Sequence, residues 1–283
     1  MQIVLTDAKD PPLRQAILAP LLAYNERFTG VLARPVILAV LLRDAGGRIE
    51  GGMIGSLWGR WFKLDIAFVP PHRRGGGLGA RILSTLEAAA VGRGAVGVWM
   101  QSYSFQAPGF YQKLGYREIA RLADRPPGFY DSFLVKTAGF ASLGAELVVV
   151  ENPAEADAAA PGALLMAYTD GHAGANDWRE LFLSVRDDDG AVLGGLYGRS
   201  GRGWLFIELL GLPDALRHQR IGSELMARAE AEARARGCIG VYIDTFSFQA
   251  RPFYEKHGYT VFAEITDYPP GHSRFFLSKR LDI

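Results

Sequence analysis

The residues best able to do chemistry lie in one stretch, Phe68-Val-Pro-Pro-His-Arg-Arg-Gly-Gly-Gly-Leu-Gly-Ala80. An apolar run, Leu64 to Val69, stops at two prolines, which cannot supply ladder N–H groups. The glycines that follow leave backbone N–H groups unshielded and permit positive φ. A helix starting at about Gly79 adds its own unpaired N–H groups and the positive end of its dipole. Strand, glycine loop and helix N-terminus together make a pocket for a phosphate or pyrophosphate. Arg74, Gly75, Gly76, Gly77, Leu78, Gly79 and Ala80 would surround it.

A rival use of the same glycines exists. Gly75-x-Gly77-x-x-Ala80 also satisfies a dinucleotide-fold fingerprint. That fold needs an acid about 20 positions later, at the end of the next strand, to hold a ribose. Here that strand ends in Met100-Gln101-Ser102, without an acid, and an antiparallel meander rather than a βαβ unit leads into the loop.

The elements that must position the loop occur twice. Ser104-Phe-Gln-Ala107 recurs as Ser247-Phe-Gln-Ala250, and Phe110-Tyr-Gln-Lys-Leu-Gly-Tyr116 as Phe253-Tyr-Glu-Lys-His-Gly-Tyr259. Pro126-Pro-Gly128 recurs as Pro269-Pro-Gly271, and every pair is displaced by 143 positions, as from Ser104 to Ser247. The same register aligns Trp61 with Trp204, Pro70 with Pro213 and Arg74 with Arg217. A repeat this long is a duplicated domain rather than a solenoid unit. The expected domains are 1–138 and 139–283, divided near Ala138-Gly-Phe-Ala-Ser-Leu-Gly144, before a strand-like run from Glu146 to Val150.

Within the first copy, Leu13, Ile17, Leu21 and Tyr24 keep helical spacing, but Pro20 interrupts them and predicts two short helices. Val36 to Leu42, Ile49 to Leu57 and Trp61 to Val69 read as a meander of strands. After the loop, Ile82, Leu83, Leu86 and Ala90 share a helix face, and Val96 to Met100 reads as a buried strand. A short helix, Pro108 to Leu114, and a final antiparallel pair close the copy. The fold class is therefore α/β: two similar domains, each with a mixed, mostly antiparallel sheet and helices on both sides.

Composition narrows the partners. The formal net charge is +1, with no dense basic block, which argues against nucleic acid. Cys238 is the only cysteine, so no internal disulfide can form, and the five histidines lack metal-ligand spacing. No metal is expected. The longest clean apolar run, Val36 to Leu42, is far short of a membrane span, and the first residues lack a signal-peptide pattern. A soluble cytoplasmic protein is the expectation. No Gly-x-Ser-x-Gly elbow supports serine hydrolysis.

A meander, then Arg74-x-x-Gly77-x-Gly79, a helix, a strand, and a short helix bearing Tyr111-x-Lys113-x-Gly115-Tyr116: this order resembles the GCN5-related N-acetyltransferase (GNAT) family over nearly the whole of each copy. The resemblance implies two tandem acyl-CoA N-acyltransferase-like domains. It implies transfer of an acyl group, most often from acetyl-CoA, to an amine of a small-molecule acceptor. Arg74 through Ala80 would hold the pyrophosphate mainly through backbone N–H groups, and Ala67, Phe68 and Val69 would lend backbone groups to the pantetheine arm. Ser104, at the head of the late element, is placed with the cofactor contacts; Tyr111 stands seven residues later.

Attack on a thioester needs a neutral amine, and a lysine-like amine near pKa 10.4 is protonated at pH 7. A carboxylate can take that proton. Several family members place an acid at the point of the strand where Asp65 and Glu208 stand. Tyr111 matches the family's acid, which returns a proton to the leaving thiolate, and Tyr254 is its counterpart. The copies differ, because His218 and Arg220 replace Gly75 and Gly77. A side chain at the Gly77 position is expected to crowd the phosphate path and restrict φ. The first copy is therefore expected to bind acyl-CoA, and the second to be weakened or a scaffold. Two alternatives remain: a non-catalytic acyl-CoA-binding module, or activity in the second copy alone. The copies could also pack as an internal pseudo-dimer.

Overall fold

The computed structural model describes residues 1–30, 34–140, 143 and 147–281. The chain runs β1 (Gln2–Thr6), α1 (Pro11–Thr29), β2 (Val36–Arg43), β3 (Ile49–Trp58), β4 (Trp61–Phe68), α2 (Leu78–Val91), β5 (Gly97–Tyr103), α3 (Pro108–Lys113), β6 (Arg117–Ala123) and β7 (Tyr130–Lys136). The second copy follows with β8 (Val150–Glu151), α4 (Glu155–Ala173), β9 (Arg179–Arg186), β10 (Val192–Gly201), β11 (Trp204–Gly211), α5 (Ile221–Ala235), β12 (Gly240–Phe246), α6 (Arg251–Lys256), β13 (Thr260–Thr266) and β14 (Ser273–Arg280). Of the expected run from Glu146 to Val150, Glu146 lies outside the described residues and the strand is confined to β8. Residues 141, 142 and 144 of the expected boundary stretch also lie outside them.

Two seven-stranded sheets form, ordered β6-β7-β5-β4-β3-β2-β8 and β13-β14-β12-β11-β10-β9-β1. Every neighbour is antiparallel except β4 with β5 and β11 with β12. The outermost strands are exchanged. β1 pairs with β9 from Gln2↔Arg186 to Thr6↔Phe182, and β8 pairs with β2 at Leu38↔Glu151 and Ala39↔Val150. An uncovered β2 or β9 would present a row of unpaired backbone groups. The first strand of each copy covers the other copy's edge.

The helices follow the same exchange. In β9, Leu181, Leu183 and Val185 face Leu225, Met226 and Ala229 of α5. Phe182 points the other way and joins Tyr197 and Leu209 against Leu13 and Ile17 of α1. The alternation of a strand thus buries both faces, one under a helix of its own half and one under a helix of the other. In the first sheet, Leu38, Val40 and Leu42 pack on Ile82, Leu83 and Leu86 of α2, while α4 lies over β3 and β4. The 138/139 division marks the repeat in sequence; in space, each sheet draws strands from both sides of it.

The expectation of two helices broken at Pro20 is corrected: α1 is one helix running through it. Proline removes one backbone bond and crowds the preceding turn. Here that turn faces a glycine. The Ile17 carbonyl oxygen comes so near β11 that a Cβ at Gly211 would sit 2.1 Å from it. Burial of Leu13 and Ile17 offsets the lost bond. Asp10 closes the N-terminus, its carboxylate accepting from the Leu13 N–H at 2.9 Å.

A separate aromatic core joins the two halves. Trp61, Trp99 and Phe133 of the first pack with Trp204, Tyr242, Tyr268 and Phe276 of the second. The contacts are reciprocal: Trp61 Nε1 donates to the Asp267 carbonyl and Trp204 Nε1 to the Asp124 carbonyl, each at 2.9 Å. These donors satisfy tryptophans that would otherwise bury a bare N–H. Trp61, Trp99 and Trp204 thus help hold the halves together.

With exchanged strands, exchanged helices and this shared core, the covalent link between the copies carries little of the assembly. A chain cut once between residues 140 and 147 should elute as one intact-size species in size-exclusion chromatography with light scattering. Separation into two half-size species would show that the exchange does not hold the halves.

Candidate active site

The parallel ladder of β4 with β5 runs only from Trp61↔Gly97 to Leu64↔Met100, although β4 continues to Phe68 and β5 to Tyr103. The cause is a bulge. Opposite β3 the register jumps from Ile54↔Ile66 to Gly55↔Leu64, leaving Asp65 as the extra residue. A bulge bends its strand and sharpens local twist, so β4 and β5 part after Leu64. The second half does the same: Tyr197↔Leu209 is followed by Gly198↔Ile207, with Glu208 the extra residue, and pairing with β12 ends at Ile207↔Ile243.

A cavity of about 470 Å³ fills the gap in the first sheet. Along one wall run Asp65, Ala67, Phe68 and Val69, whose β5-facing backbone has no ladder partner. At one end lies the glycine loop, with Arg74, Gly75, Gly77, Leu78, Gly79 and Ala80 on the lining. Gly76 belongs to the loop but not to the lining. Among the described residues, the N–H groups from Gly75 to Ala80 make no hydrogen bond; the first bonded amide is that of Arg81, to the Gly77 carbonyl at 3.1 Å. Gly75 and Gly77 hold φ of +87° and +76°, and a Cβ on either would meet no protein atom within 4 Å. Bare amides, an open approach and the positive end of α2 suit a pyrophosphate, and the freed edge of β4 suits an amide-bearing arm beside it. The residues present fit acyl-CoA.

Arg74 acts locally. Its Nε donates to the Val69 carbonyl at 2.8 Å, bracing the end of β4 against the loop. Ser104 does not line the cavity; its hydroxyl accepts from the Tyr130 N–H at 3.3 Å. Tyr111 does line it, from α3. Its ring packs edge-on against Phe110 and Tyr116, and its hydroxyl has no hydrogen-bond partner among the described residues. Burial pushes that hydroxyl well above the usual tyrosine range, so it stays protonated. Asp65 is held by Lys63 Nζ at 2.8 Å and by the Ser56 hydroxyl at 2.8 Å.

A second cavity of about 540 Å³ occupies the matching place, lined by Glu208, Arg217, His218, Arg220, Gly222 and Tyr254 among others. Burial, aided by Asp244, likewise raises the Tyr254 hydroxyl. Its loop keeps the backbone of the first: His218 and Arg220 both stand at φ +63°, where the first half has glycine. The expected restriction of φ therefore does not prevent the loop from forming. Left-handed φ costs a residue with a Cβ roughly 1–2 kcal/mol, and the second loop carries that cost twice. The acids differ more. Both Glu208 oxygens are ion-paired, one to Arg14 from the exchanged α1 and the other to Arg199 at 3.3 Å.

Sequence reasoning missed the exchanged helices as cavity walls. Leu165 and Tyr168 of α4 line the first cavity, and Leu21 and Tyr24 of α1 the second. The signal was present: the two tyrosines are a repeat displaced by 144 positions, from Tyr24 to Tyr168, one off the register of the rest.

Strain in the second loop gives a measurable contrast. Arg220→Gly should raise stability by up to about 1 kcal/mol, and Gly77→Ala should lower it by about 1 kcal/mol. Urea unfolding midpoints check both; equal small losses at the two positions would refute the left-handed assignment of the second loop.

A model described as the acetyltransferase (GNAT) family matches residues 153–259, and one described as an acetyltransferase (GNAT) domain matches residues 36–118. An acetyltransferase of Agrobacterium fabrum is 44% identical over 128 residues, which are 44% of this chain and 93% of that protein. Blasticidin-S acetyltransferase of Streptomyces morookaense is 35% identical over 132 residues, 46% of this chain and 90% of its own. A crystal structure from Agrobacterium tumefaciens, 39% identical, covers 48% of this chain and 99% of its own with a TM-score of 0.46. No helix among the described residues is long and apolar enough to cross a membrane. With two matched domains, and with relatives covered over nearly their full length, the chain is a tandem member of the GNAT family, whose acetyltransferases take the acyl group from acetyl-CoA.

Proposed function

We propose that the first cavity performs the acetyl transfer, onto the amine of a small-molecule acceptor, and that the second binds the same class of donor without turnover. The observation that carries this reading is the contrast between the two bulge acids. Asp65 forms a neutral pair with Lys63, whereas Glu208 sits between Arg14 and Arg199 and leaves one net positive charge. An amine arrives mostly as an ammonium ion, and a net cation at the reacting end repels it.

In this reading Asp65, directly or through one water, takes the proton from the acceptor amine. The nitrogen then attacks the thioester carbonyl, the N–C bond forms, and the C–S bond breaks. Tyr111 donates a hydrogen bond to the sulfur as it gains charge. Its raised pKa makes complete loss of the proton to a thiol of ordinary pKa, about 8.5, an uphill step. The tyrosine therefore stabilises the departing sulfur more than it titrates. In this reading the two halves, which share the aromatic core and the exchanged elements, act as an internal pseudo-dimer, with the second half as the support for the first.

The acceptor side is tested with a panel of small amines and acetyl-CoA, following free thiol release. Tyr111→Phe should lower kcat roughly tenfold to a thousandfold, and Asp65→Asn should do likewise. Tyr254→Phe should leave turnover within twofold of the unaltered protein. Loss with Tyr254→Phe alone would move the chemistry to the second cavity.

A further inference from the structure

Tyr168 belongs to the second copy in sequence, yet it stands over the first cavity. Three contacts fix it there. Its ring lies under the Arg74 guanidinium, 5.6 Å from carbon to centroid, and its hydroxyl donates to the Phe105 carbonyl at 3.3 Å. Its neighbour Thr169 accepts from Gln106 Nε2 at 3.3 Å. Phe105 and Gln106 form the turn that leads into α3 and Tyr111. One side chain thus spans the opening, from the phosphate loop at one end to the turn that carries the tyrosine helix.

The arrangement repeats in the second cavity with separate atoms. Tyr24 of α1 lies 4.1 Å from the Arg217 guanidinium carbon, its hydroxyl donates to the Phe248 carbonyl at 2.9 Å, and Asn25 accepts from Gln249 Nε2 at 2.8 Å. The turn of the Ser-Phe-Gln-Ala motif, whose glutamine and alanine also line the cavity, docks the exchanged helix in both halves. Its backbone carbonyl and glutamine amide meet a tyrosine and its neighbour in both halves.

We propose that Tyr168 is a positioning residue for acyl-donor binding in the first cavity, acting through Arg74 to hold the glycine loop against the end of β4. The inference rests on the reading of that cavity as the acetyl-CoA site. Arg74 has one side-chain hydrogen bond, to the Val69 carbonyl, and its guanidinium carbon lies 5.6 Å from the Tyr168 ring and 6.0 Å from that of Phe68, so the ring of the exchanged helix is the nearer of the two that limit its remaining freedom. An arginine stacked on an aromatic ring keeps its orientation at little cost in hydration. Without the ring, the loop amides lose the brace that aims them into the cavity, and the donor must order them on binding.

The test is CoA binding to the full-length chain by titration calorimetry, with unfolding temperature recorded for each variant. Gly77→Val defines the first-cavity site as the affinity it removes. Tyr168→Ala and Tyr168→Leu should each weaken that site roughly tenfold, while Tyr168→Phe stays within threefold because it keeps the ring. Tyr24→Ala should leave that site within twofold. If Gly77→Val leaves CoA binding unchanged, the cavity assignment fails and takes this inference with it. If Gly77→Val removes one site while Tyr168→Leu binds at that site as the unaltered chain does, the assignment stands and the role of Tyr168 is refuted. Equal weakening by Tyr168→Phe and Tyr168→Ala would also refute it, since the ring would then not be the agent.

Discussion

Neither half of this protein can close its own sheet or wall its own cavity. β2 needs β8, β9 needs β1, and each cavity takes two lining side chains from the helix that follows the borrowed strand. The exchange is set by burial. α1 places Leu13 and Ile17 against Phe182 and Tyr197, and the Gly211 surface is cut back to admit the Ile17 turn. Because close-packed interiors tolerate little mismatch, that fit ties the position of each cavity-lining helix to the other half's sheet. The acid, the tyrosine and the phosphate loop come from one half of the sequence, and the wall opposite them comes from the other.

Given so shared a frame, the difference between the two cavities is chemical rather than architectural. The bulge, the parted strands and the left-handed loop are present in both. What changes is what the backbone displays. Gly75 and Gly77 give way to His218 and Arg220, which lend the second loop side-chain charge at the cost of backbone strain. Lys63 and Ser56 beside Asp65 give way to Arg14 and Arg199 beside Glu208. Arg14 comes from the exchanged helix, and α4 carries Ala158 at the position 144 residues on, so the exchange itself delivers the asymmetry. Strain that persists at a loop implies that the surrounding structure still specifies its shape, in keeping with the binding role proposed for the second cavity and the chemistry proposed for the first.

Much of this was legible in the residues. The repeat, the strand and helix runs and the glycine loop follow from rare residues held in one register and from turn chemistry that Gly and Pro impose. Asp65, Tyr111 and all of the loop but Gly76 line one cavity. The exchange was not legible, because two similar copies offer β1 and α1 two similar surfaces, and periodicity cannot say which one a helix chooses. Pro20 misled for a related reason: its local cost is visible in sequence, while the burial of Ile17 that offsets it is made by residues about 190 positions away, at Gly211. The bulge also left no pattern, since one extra residue shifts the side-chain alternation without changing composition. Ser104 bonds within its own half, to the Tyr130 N–H, while the next residue of its motif, Phe105, meets the exchanged helix, a contact that no local pattern signals.

The interface shows why fusion into one chain matters. Arg125 is buried with Asp131, and its guanidinium reaches the Tyr242 hydroxyl and lies 4.4 Å from that ring. At the related place in the second half stands the reverse pair, Arg274 on Asp244 at 2.8 Å, with the guanidinium 5.0 Å from Trp99. The base of the second pair stands where the first half has its acid, and the acid where the first half has a glutamine: Asp131 corresponds to Arg274, and Gln101 to Asp244. Two first halves placed together would offer Arg125 a tryptophan in place of the Tyr242 hydroxyl, leaving a buried donor without its acceptor. Removing one partner of a buried charged network costs several kcal/mol, so each half is matched to the other and not to a copy of itself. In a fused chain the halves always meet in equal number, and the interface needs to satisfy only that one pairing. Freed from the demand that both faces be identical, one cavity can keep its acid paired with a single lysine beside its strand break while the other surrounds its acid with arginine.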